Sequence, residues 1–249
     1  MSNITRKLCV LASAPLLALS LMAGTGHAAE QNPGDVLKEA VALADQGKYE
    51  EALQKHLWYH EHAIEADRSQ AGTRVSFALS YWADLGKKYP KALEALREVR
   101  DKNAARLLKG EGDWSLLFEV DSINDNLGEP EATAELFKKI DAANPDFAKS
   151  IYQGAHRKLV ASGEYALARK HMRDPSEQIA LSRRSVEIAR NSRGKLPPSA
   201  IQASERMFAE EMARVITVLE KTGDHQRALE IQAEALKVVD SPAIRDAVK

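Results

Sequence analysis

Residues 47–53 read Gly-Lys-Tyr-Glu-Glu-Ala-Leu, and a similar pattern returns four more times along the chain. Each copy has a turn, then a ring or a similar side chain two residues on, then a small residue three further on. The other copies are Lys87-Lys-Tyr-Pro-Lys-Ala-Leu93, Gly128-Glu-Pro-Glu-Ala-Thr-Ala134, Gly163-Glu-Tyr-Ala-Leu-Ala-Arg169 and Gly223-Asp-His-Gln-Arg-Ala-Leu229. A small residue lets two helix backbones approach closely. The pattern therefore predicts paired helices joined at these turns.

The sequence around these turns also has a helical pattern. Apolar residues recur three or four positions apart after Asp35, and the strict alternation that is typical of strands is scarce. Prolines stand before helical runs, where a fixed φ suits the first turn: Pro90, Pro130 and Pro175. Glycines that we expect to end helices in a left-handed conformation are Gly47, Gly86, Gly128, Gly163 and Gly223. The predicted helices cover residues 34–46, 49–64, 71–86, 90–108, 114–126, 130–143, 147–162, 165–172, 176–192, 199–222 and 225–239, with a short helix after Pro242.

The repeated turn resembles the tetratricopeptide repeat (TPR), whose G-x-Y-x-x-A-L stretch joins the two helices of each unit. Phe137 and Pro145 stand where that family has a large apolar residue and a terminating proline. Some positions depart from the pattern: Glu39, Asp121 and Gln232 replace apolar, small and aromatic residues. The glycines are 39, 42, 35 and 60 residues apart, and only the third spacing is close to the family period of about 34 residues.

The resemblance implies an all-α fold, an α-solenoid of TPR-like helix hairpins. The longest spacing leaves room for one extra helix, from Ser176 to Asn191, before a C-terminal hairpin. We expect TPR-like repeats over residues 35–193, a linker at 194–198, and a C-terminal hairpin with a short terminal helix at 199–249. A plain helical bundle is the alternative architecture.

The first residues have the three-part pattern of a secretory signal peptide. Arg6 and Lys7 precede an uncharged run that continues to Ala29, and small residues stand before a cut after Ala28. We therefore expect residues 1–28 to be a signal peptide, residues 29–34 a flexible N-terminus, and the protein to be periplasmic or extracellular. An uncleaved membrane anchor is the alternative, because the uncharged run is just long enough to span a bilayer.

Composition and charge exclude several classes of protein. The chain has 35 basic and 36 acidic residues, a net charge of −1; without residues 1–28 there are 33 and 36, a net charge of −3. That balance argues against a nucleic-acid binder, which needs a concentrated positive field. The single cysteine, Cys9, lies within the expected leader and excludes a disulfide framework. No second apolar run approaches the length of a membrane span.

Residues 56–62 hold the densest group of reactive side chains. His56 and His60 are four residues apart, so they lie on one helix face, where two histidines can share a metal ion. We favour a packing or surface role for both, with a metal site or acid–base catalysis as alternatives. Glu119, Asp121 and Asp125 are interpreted as a polar helix face rather than a catalytic pair. Nucleophile, phosphate-loop and dinucleotide motifs are absent, so we expect no catalytic, cofactor or metal site.

The TPR resemblance implies a protein or peptide partner, of unknown identity, in the concave groove that the first helices of the pairs line. Transferring the groove positions to this sequence gives the candidate partner-binding residues Arg74, Phe77, Tyr81, Asp84, Phe118, Ser122, Asp125, Asn126, Gln153 and Arg157. We expect Tyr81, Asn126 and Arg157 to lie on one shared surface. The alternatives to a non-catalytic scaffold or adaptor are a structural or assembly factor of the envelope and a helical enzyme with groove carboxylates.

Overall fold

The computed structural model describes residues 31–192 and 194–248. The expected signal peptide, residues 1–28, lies outside the described residues, and so does Cys9. Within the described ranges every regular element is a helix and no strand is present, which confirms the all-α class. No helix in the same ranges is long and apolar enough to cross a membrane.

Fourteen α-helices and two 3₁₀ segments make up the described ranges. The 3₁₀ segments are Arg68–Gln70 and Tyr152–Gly154. The helices are α1 (Pro33–Asp45), α2 (Tyr49–Ala66), α3 (Ala71–Arg74), α4 (Phe77–Lys88), α5 (Pro90–Leu108), α6 (Trp114–Leu127), α7 (Ala132–Ala143), α8 (Pro145–Ile151), α9 (His156–Ala161), α10 (Tyr165–His171), α11 (Pro175–Arg190), α12 (Pro198–Lys221), α13 (His225–Leu236) and α14 (Pro242–Arg245).

Four of the repeated turns have the same backbone structure. The glycines Gly47, Gly128, Gly163 and Gly223 have φ values of 76°, 73°, 75° and 85°, the left-handed region that closes a helix. After each glycine, the next backbone N–H donates to the carbonyl oxygen five residues earlier: Lys48 to Leu43, Glu129 to Asn124, Glu164 to Leu159 and Asp224 to Leu219. This is the Schellman closure of a helix end.

The small residues of the pattern are buried where the second helix of each pair begins. Ala52, Ala92, Thr133, Ala168 and Ala228 have no exposed surface. A larger side chain would separate the two backbones at this point. The pattern of the sequence therefore corresponds to a real packing position in all five copies.

Gly86 differs from the other four glycines, and the prediction that it ends a helix was wrong. It lies inside α4, where it is buried. A β-carbon at this position would lie 2.3 Å from Leu93 Cγ on α5, so the absence of a side chain lets α4 and α5 approach. α4 itself continues to Lys88.

Two helices that were predicted as continuous are broken. The predicted helix 71–86 is interrupted between Arg74 and Phe77, where Ser76 has φ −131° and ψ −98°. The predicted helix 147–162 divides into α8, the 3₁₀ segment Tyr152–Gly154 and α9. Two boundaries also move: α1 begins at Pro33, inside the segment expected to be flexible, and α12 begins at Pro198, inside the expected linker.

Neighbouring helices pack along the chain. α1 packs against α2, α4 against α5, α6 against α7, α9 against α10 and α12 against α13. Contacts also join the first helices of successive pairs, from α4 to α6, from α6 to the 3₁₀ segment at 152–154, and from α9 to α12. The buried apolar side chains form several clusters along this series rather than one centre. α11, the expected extra helix, packs on α12 and α13.

Candidate functional site

Three predicted groove residues are rings that stand on the surface of α4 and α6. The exposed fractions are 65% for Phe77, 41% for Tyr81 and 38% for Phe118. Scattered apolar side chains are normal on protein surfaces, whereas exposed rings beside a cavity often mark a binding site. Tyr81 and Phe118 each line a cavity, so these two rings are better placed than Phe77 to contact a ligand.

The side chain of Arg74, a predicted groove residue, is mostly buried. Its Nε donates to the backbone oxygen of His60 at 2.6 Å, and its Nη2 lies 3.3 Å from Oε1 of Glu119. Asn103 also donates to that carboxylate, at 2.8 Å. Burial alone raises the pKa of Glu119, but hydrogen bonding to His60 and Arg74 outweighs it and lowers the pKa to about 2. The guanidinium therefore serves to hold a buried carboxylate.

Arg157 joins α9 to α6 through two carboxylates. Its Nη2 donates to Asp121 Oδ2 at 2.8 Å and to Asp125 Oδ2 at 3.2 Å, and Lys158 also pairs with Asp125. The hydrogen bond to Asp121 raises the pKa of the Arg157 guanidinium despite its partial burial. Two predicted groove residues, Asp125 and Arg157, are thus in direct contact. Half of the Arg157 side chain remains exposed, so it can still contact a partner.

The remaining polar groove residues have local partners or none. Asn126 Nδ2 donates to the backbone oxygen of Ser122 at 2.8 Å, one turn earlier on α6. Asp84 is exposed and pairs with Lys87 at 2.6 Å. Gln153 is exposed in the 3₁₀ segment, beside a polar cavity of about 430 Å³ that does not include other predicted groove residues.

A cavity of about 650 Å³ lies among α6, α9, α11 and α12. We call it the α12 cavity. Phe118 and Arg157 line it, together with Met207, which is 68% exposed. Small side chains form much of the remaining wall: Ser182, Ser185, Ala200, Ala203 and Ser204. The size falls within the range of ligand sites, about 300–1,000 Å³, and the small residues leave room for an apolar group.

Glu211 on α12 organises the polar side of the α12 cavity. His156 Nε2 lies 2.9 Å from Glu211 Oε2, Arg214 Nη2 donates to the same oxygen at 2.8 Å, and Gln178 donates to Oε1. Burial alone raises the pKa of Glu211, but His156 and Arg214 outweigh it and lower the pKa to about 2. The carboxylate is therefore neutralised by its own neighbours. A partner entering this cavity does not have to supply a counter-charge for it.

A second cavity, of about 340 Å³, lies among α1, α2 and α4. We call it the α4 cavity. Tyr81 and Asp84 line it, so Tyr81 and Arg157 line two separate cavities. His56 also lines the α4 cavity, although only 2% of its surface is exposed.

The two histidines considered for a metal site have different surroundings. The ring of His56 stacks on Trp82, with centroids 6.0 Å apart, whereas His60 Nε2 lies 3.1 Å from Glu119. Within residues 31–192 and 194–248, no group of three or more histidines and acids could hold a metal ion. The geometry gives each histidine a packing or hydrogen-bonding role.

The acids of α6 are engaged by cations. Glu119 is held by Arg74, and both Asp121 and Asp125 by Arg157. A general acid or base has to approach a substrate with a proton to exchange, and these groups are already held in ion pairs. The arrangement is suited to joining helices.

Sequence reasoning missed the residues that α12 contributes to the α12 cavity. Met207, Glu211 and Arg214 were not among the predicted groove residues, because the transfer of groove positions ended at the fourth turn pattern before α11. The sequence feature that could have indicated these residues is the length of α12. At 24 residues α12 is longer than the first helix of a TPR hairpin, and it extends beyond its partner α13, which has 12 residues. The chain matches no protein-family model, no curated protein and no solved structure.

Proposed function

We propose that this chain is an exported, non-catalytic scaffold or adaptor that binds a protein or peptide along the first helices of a TPR-like solenoid. The observation that carries the proposal is the α12 cavity. Residues from three helices that are distant in sequence, Phe118, Arg157 and Met207, line it. Its buried carboxylate, Glu211, already has its own partners. Charged side chains, Arg157 and Glu210 among them, also line the cavity, but its exposed apolar walls, Phe118 and Met207, suit an apolar side chain of a partner.

The repeated turns support the solenoid part of the proposal. Four turns have the same left-handed glycine and the same backbone hydrogen bond, and a buried small residue, Thr133 in one turn and alanine in three, follows at the equivalent position. The series of contacts from α4 to α6, from α6 to the 3₁₀ segment, and from α9 to α12 is what stacked hairpins require, because each unit of a solenoid contacts its neighbours. α11 then stands as an insertion that closes one side of the α12 cavity.

A peptide selection followed by quantitative binding tests the proposal. Peptides selected from a random library on the purified protein are measured by fluorescence anisotropy against the wild type and against Phe118→Ser and Met207→Ser. Truncating a central apolar contact of an interface costs about 2 kcal/mol, so we expect affinity to fall by roughly tenfold or more in each variant.

Leu229→Ser is the matched control. Leu229 is 40% exposed, close to the value for Phe118, but it lies on α13 and does not line the α12 cavity. We expect this variant to bind selected peptides with unchanged affinity. Equal loss in all three variants, or no loss in any, would contradict the assignment of the cavity.

Export is the part of the proposal that rests on residues 1–28. Support comes from the basic start, the uncharged run and the small residues before Ala29. Mass spectrometry of the protein recovered from the exported fraction should give a chain that begins at Ala29. A full-length chain that sediments with membranes would favour the anchor instead.

Assembly into an envelope structure is a second candidate function, and apolar residues on α11 favour it. Leu181 and Ile188 are seven residues apart, on one face of the helix, and 56% and 64% exposed. Exposed apolar residues on one face are typical of contact surfaces between proteins. Light scattering of the purified protein separates the two candidates: a monomer at micromolar concentration argues for the adaptor, and an oligomer that Ile188→Glu dissociates argues for assembly.

A further inference from the structure

We propose that the protonation of His156 controls binding in the α12 cavity, so that a peptide partner binds at pH 6 and loses affinity as the pH rises to 8.5. This inference rests on the proposed function, because the partner is the peptide that the scaffold binds. His156 acts as a positioning residue. It joins α9 to α12 at the cavity, and it makes both of its hydrogen bonds only as an imidazolium.

Both ring nitrogens of His156 lie beside hydrogen-bond acceptors. Nδ1 is 3.0 Å from the backbone oxygen of Gln153, and Nε2 is 2.9 Å from Oε2 of Glu211. A carbonyl oxygen and an ionised carboxylate can only accept, so each ring nitrogen has to donate a proton. A neutral imidazole carries one N–H and can make only one of these two bonds. The geometry therefore requires the doubly protonated ring.

This arrangement is specific to His156 among the histidines of residues 31–192 and 194–248. The others have an acceptor at one ring nitrogen or at neither: His56, His60, His62, His171 and His225. A neutral ring can therefore satisfy the contacts of each of the others, whereas it cannot satisfy those of His156.

The charged groups around His156 keep their charge between pH 6 and 8.5. Glu211 stays ionised because its pKa is lowered to about 2, and Arg214, which donates to the same carboxylate, stays protonated. Tyr152 lies beside the imidazole, with ring centroids 6.0 Å apart, and burial raises the pKa of its hydroxyl, so it stays neutral. The remaining charged side chains of the lining, a carboxylate and a guanidinium, are types that do not titrate in this interval: Glu210 and Arg157.

Loss of one proton from His156 breaks one of its two hydrogen bonds. If Nε2 loses the proton, its lone pair faces the carboxylate of Glu211 and the two repel each other. If Nδ1 loses it, the lone pair faces the backbone oxygen of Gln153, and the ring has to turn away. In both cases Glu211, which is mostly buried, loses a positive neighbour. Deprotonation thus weakens the junction in either tautomer.

The junction between His156 and Glu211 holds one end of α12 in place. Within the described ranges it is the single ion pair between α9 and α12, both of which line the cavity. Farther along α12, Val218 is buried in the same apolar cluster as Leu159 of α9, a contact that does not depend on pH. Loss of the ion pair therefore releases the cavity end of α12, where Met207 lies one turn before Glu211, while the other end stays packed.

The test measures peptide affinity as a function of pH. A peptide selected on the purified protein at pH 6, with a blocked N-terminus and without histidine or cysteine, is titrated by fluorescence anisotropy at pH 6, 7.2 and 8.5. We expect the Kd to rise by at least about fivefold from pH 6 to 8.5, because hydrogen bonds to charged groups are the stronger ones. Equal affinity at pH 6 and 8.5 would overturn the inference.

Two variants of His156 separate its charge from its shape. His156→Arg keeps a positive charge and N–H donors at every pH of the series, so its affinity should not depend on pH. His156→Gln is uncharged, so its affinity should be low throughout. His225→Gln is the control, because His225 also pairs with a glutamate but does not line the cavity, and the dependence of the wild type should persist. A dependence on pH that survives in either His156 variant that folds would contradict the proposal.

A measurement without peptide separates this inference from the proposed function. NMR of protein with ¹³C-methyl methionine follows the methyl signal of Met207, which should shift between pH 6 and 8.5 in the wild type but not in His156→Arg. If the signal shifts as expected and no peptide is selected, the junction stands and the peptide scaffold is wrong. If selected peptides bind equally at both pH values and the signal does not shift, the scaffold stands and the control by His156 is wrong.

Discussion

Two buried glutamates, Glu119 and Glu211, have partners in place, whereas His56 is among the buried polar side chains with an unpaired atom, its Nε2. Glu119 and Glu211 lie on different helices, but each is held by one arginine and one histidine. His56 instead stacks on Trp82. Removing a partner from a buried ion pair costs more than the pair itself contributes, since the remaining charge is left unsolvated. We therefore expect the pKa shifts of these residues to make the stability of the fold depend on pH.

His56 should make the fold less stable as the pH falls from 6.5 to 4. Burial lowers the pKa of His56 from 6.5 to about 4, so the unfolded chain takes up this proton before the folded chain does. Stability is then fully present above pH 6.5 and is lost progressively down to about pH 4, by about 3 kcal/mol. Urea unfolding across this interval measures the loss. In His56→Phe the slope should be smaller, and an unchanged slope would show that other groups cause it.

Glu119→Gln tests the partnered carboxylate. At pH 7 we expect this substitution to destabilise the fold by about 3 kcal/mol, because the partly buried Arg74 guanidinium is left without the negative charge that pairs with it. The pKa of Glu119 is lowered from 4.5 to about 2, so its contribution is present above pH 4.5 and disappears as the pH falls through 2. Urea unfolding at pH 7, 4.5 and 2.5 measures the difference in midpoint between wild type and variant. This difference should be large at pH 7 and 4.5 and much smaller at pH 2.5.

Glu61→Gln serves as the comparison for Glu119→Gln. Glu61 is exposed on α2, and a substitution there should change stability by less than about 0.5 kcal/mol at every pH. Similar losses in the two variants would mean that charge in general, and not the contact with Arg74, sets the stability.

At the scale of single helices, the sequence predicted the structural features that nearby residues determine. It missed those that depend on contacts with residues distant in the chain. Gly47 and Ala52 were predicted correctly, because a left-handed turn and a small contact position are marked by the residue types themselves. The interruption at 152–154 has no such mark. It occurs where Gly154 meets the start of α6, about forty residues earlier in the sequence. The groove residues show the same limit: Phe118 lines the α12 cavity, but so does Met207, which lies on α12, beyond the units to which the groove positions were transferred.

Gly154→Ala should disrupt this junction. A β-carbon at Gly154 would lie 2.6 Å from the backbone oxygen of Trp114 and 3.0 Å from the backbone nitrogen of Phe118. Backbone atoms cannot move aside as a side chain can, so we expect a loss of about 3 kcal/mol. Thermal unfolding followed by circular dichroism measures it. Binding of selected peptides should weaken too, because Phe118 lines the α12 cavity.

Gly72→Ala is the matched change. A β-carbon at Gly72 would have nothing within 4 Å, and the residue lies in the short helix α3. Alanine is the better helix former, so stability should stay equal or rise by about 0.5 kcal/mol. A loss in Gly72→Ala as large as that in Gly154→Ala would rule out the close approach as the cause.

At the scale of the whole molecule, the core is divided along the chain. One cluster of buried side chains joins α1, α2, α4 and α5 and includes Ile123 of α6, another extends from α5 to α10 and includes Val218 of α12, and a third joins α11 to α14. In a compact bundle each core residue would share neighbours with most helices. In a stack of hairpins a change in one unit is felt mainly by the next. The proposed solenoid therefore predicts that a change in one end of the protein leaves the opening of the other end largely unaffected.

Ile231→Ala and Leu96→Ala should open different ends of the molecule. Both side chains are fully buried, Ile231 in the cluster of α11–α14 and Leu96 in the cluster of α1–α5, and each truncation costs about 2–4 kcal/mol. Native-state hydrogen exchange measured by mass spectrometry reports the opening of each helix. We expect Ile231→Ala to speed exchange in α12 and α13 far more than in α4 and α5, and Leu96→Ala to do the reverse. Two variants that accelerate exchange equally throughout would indicate a single cooperative core, and the solenoid proposal would then give way to the helical bundle.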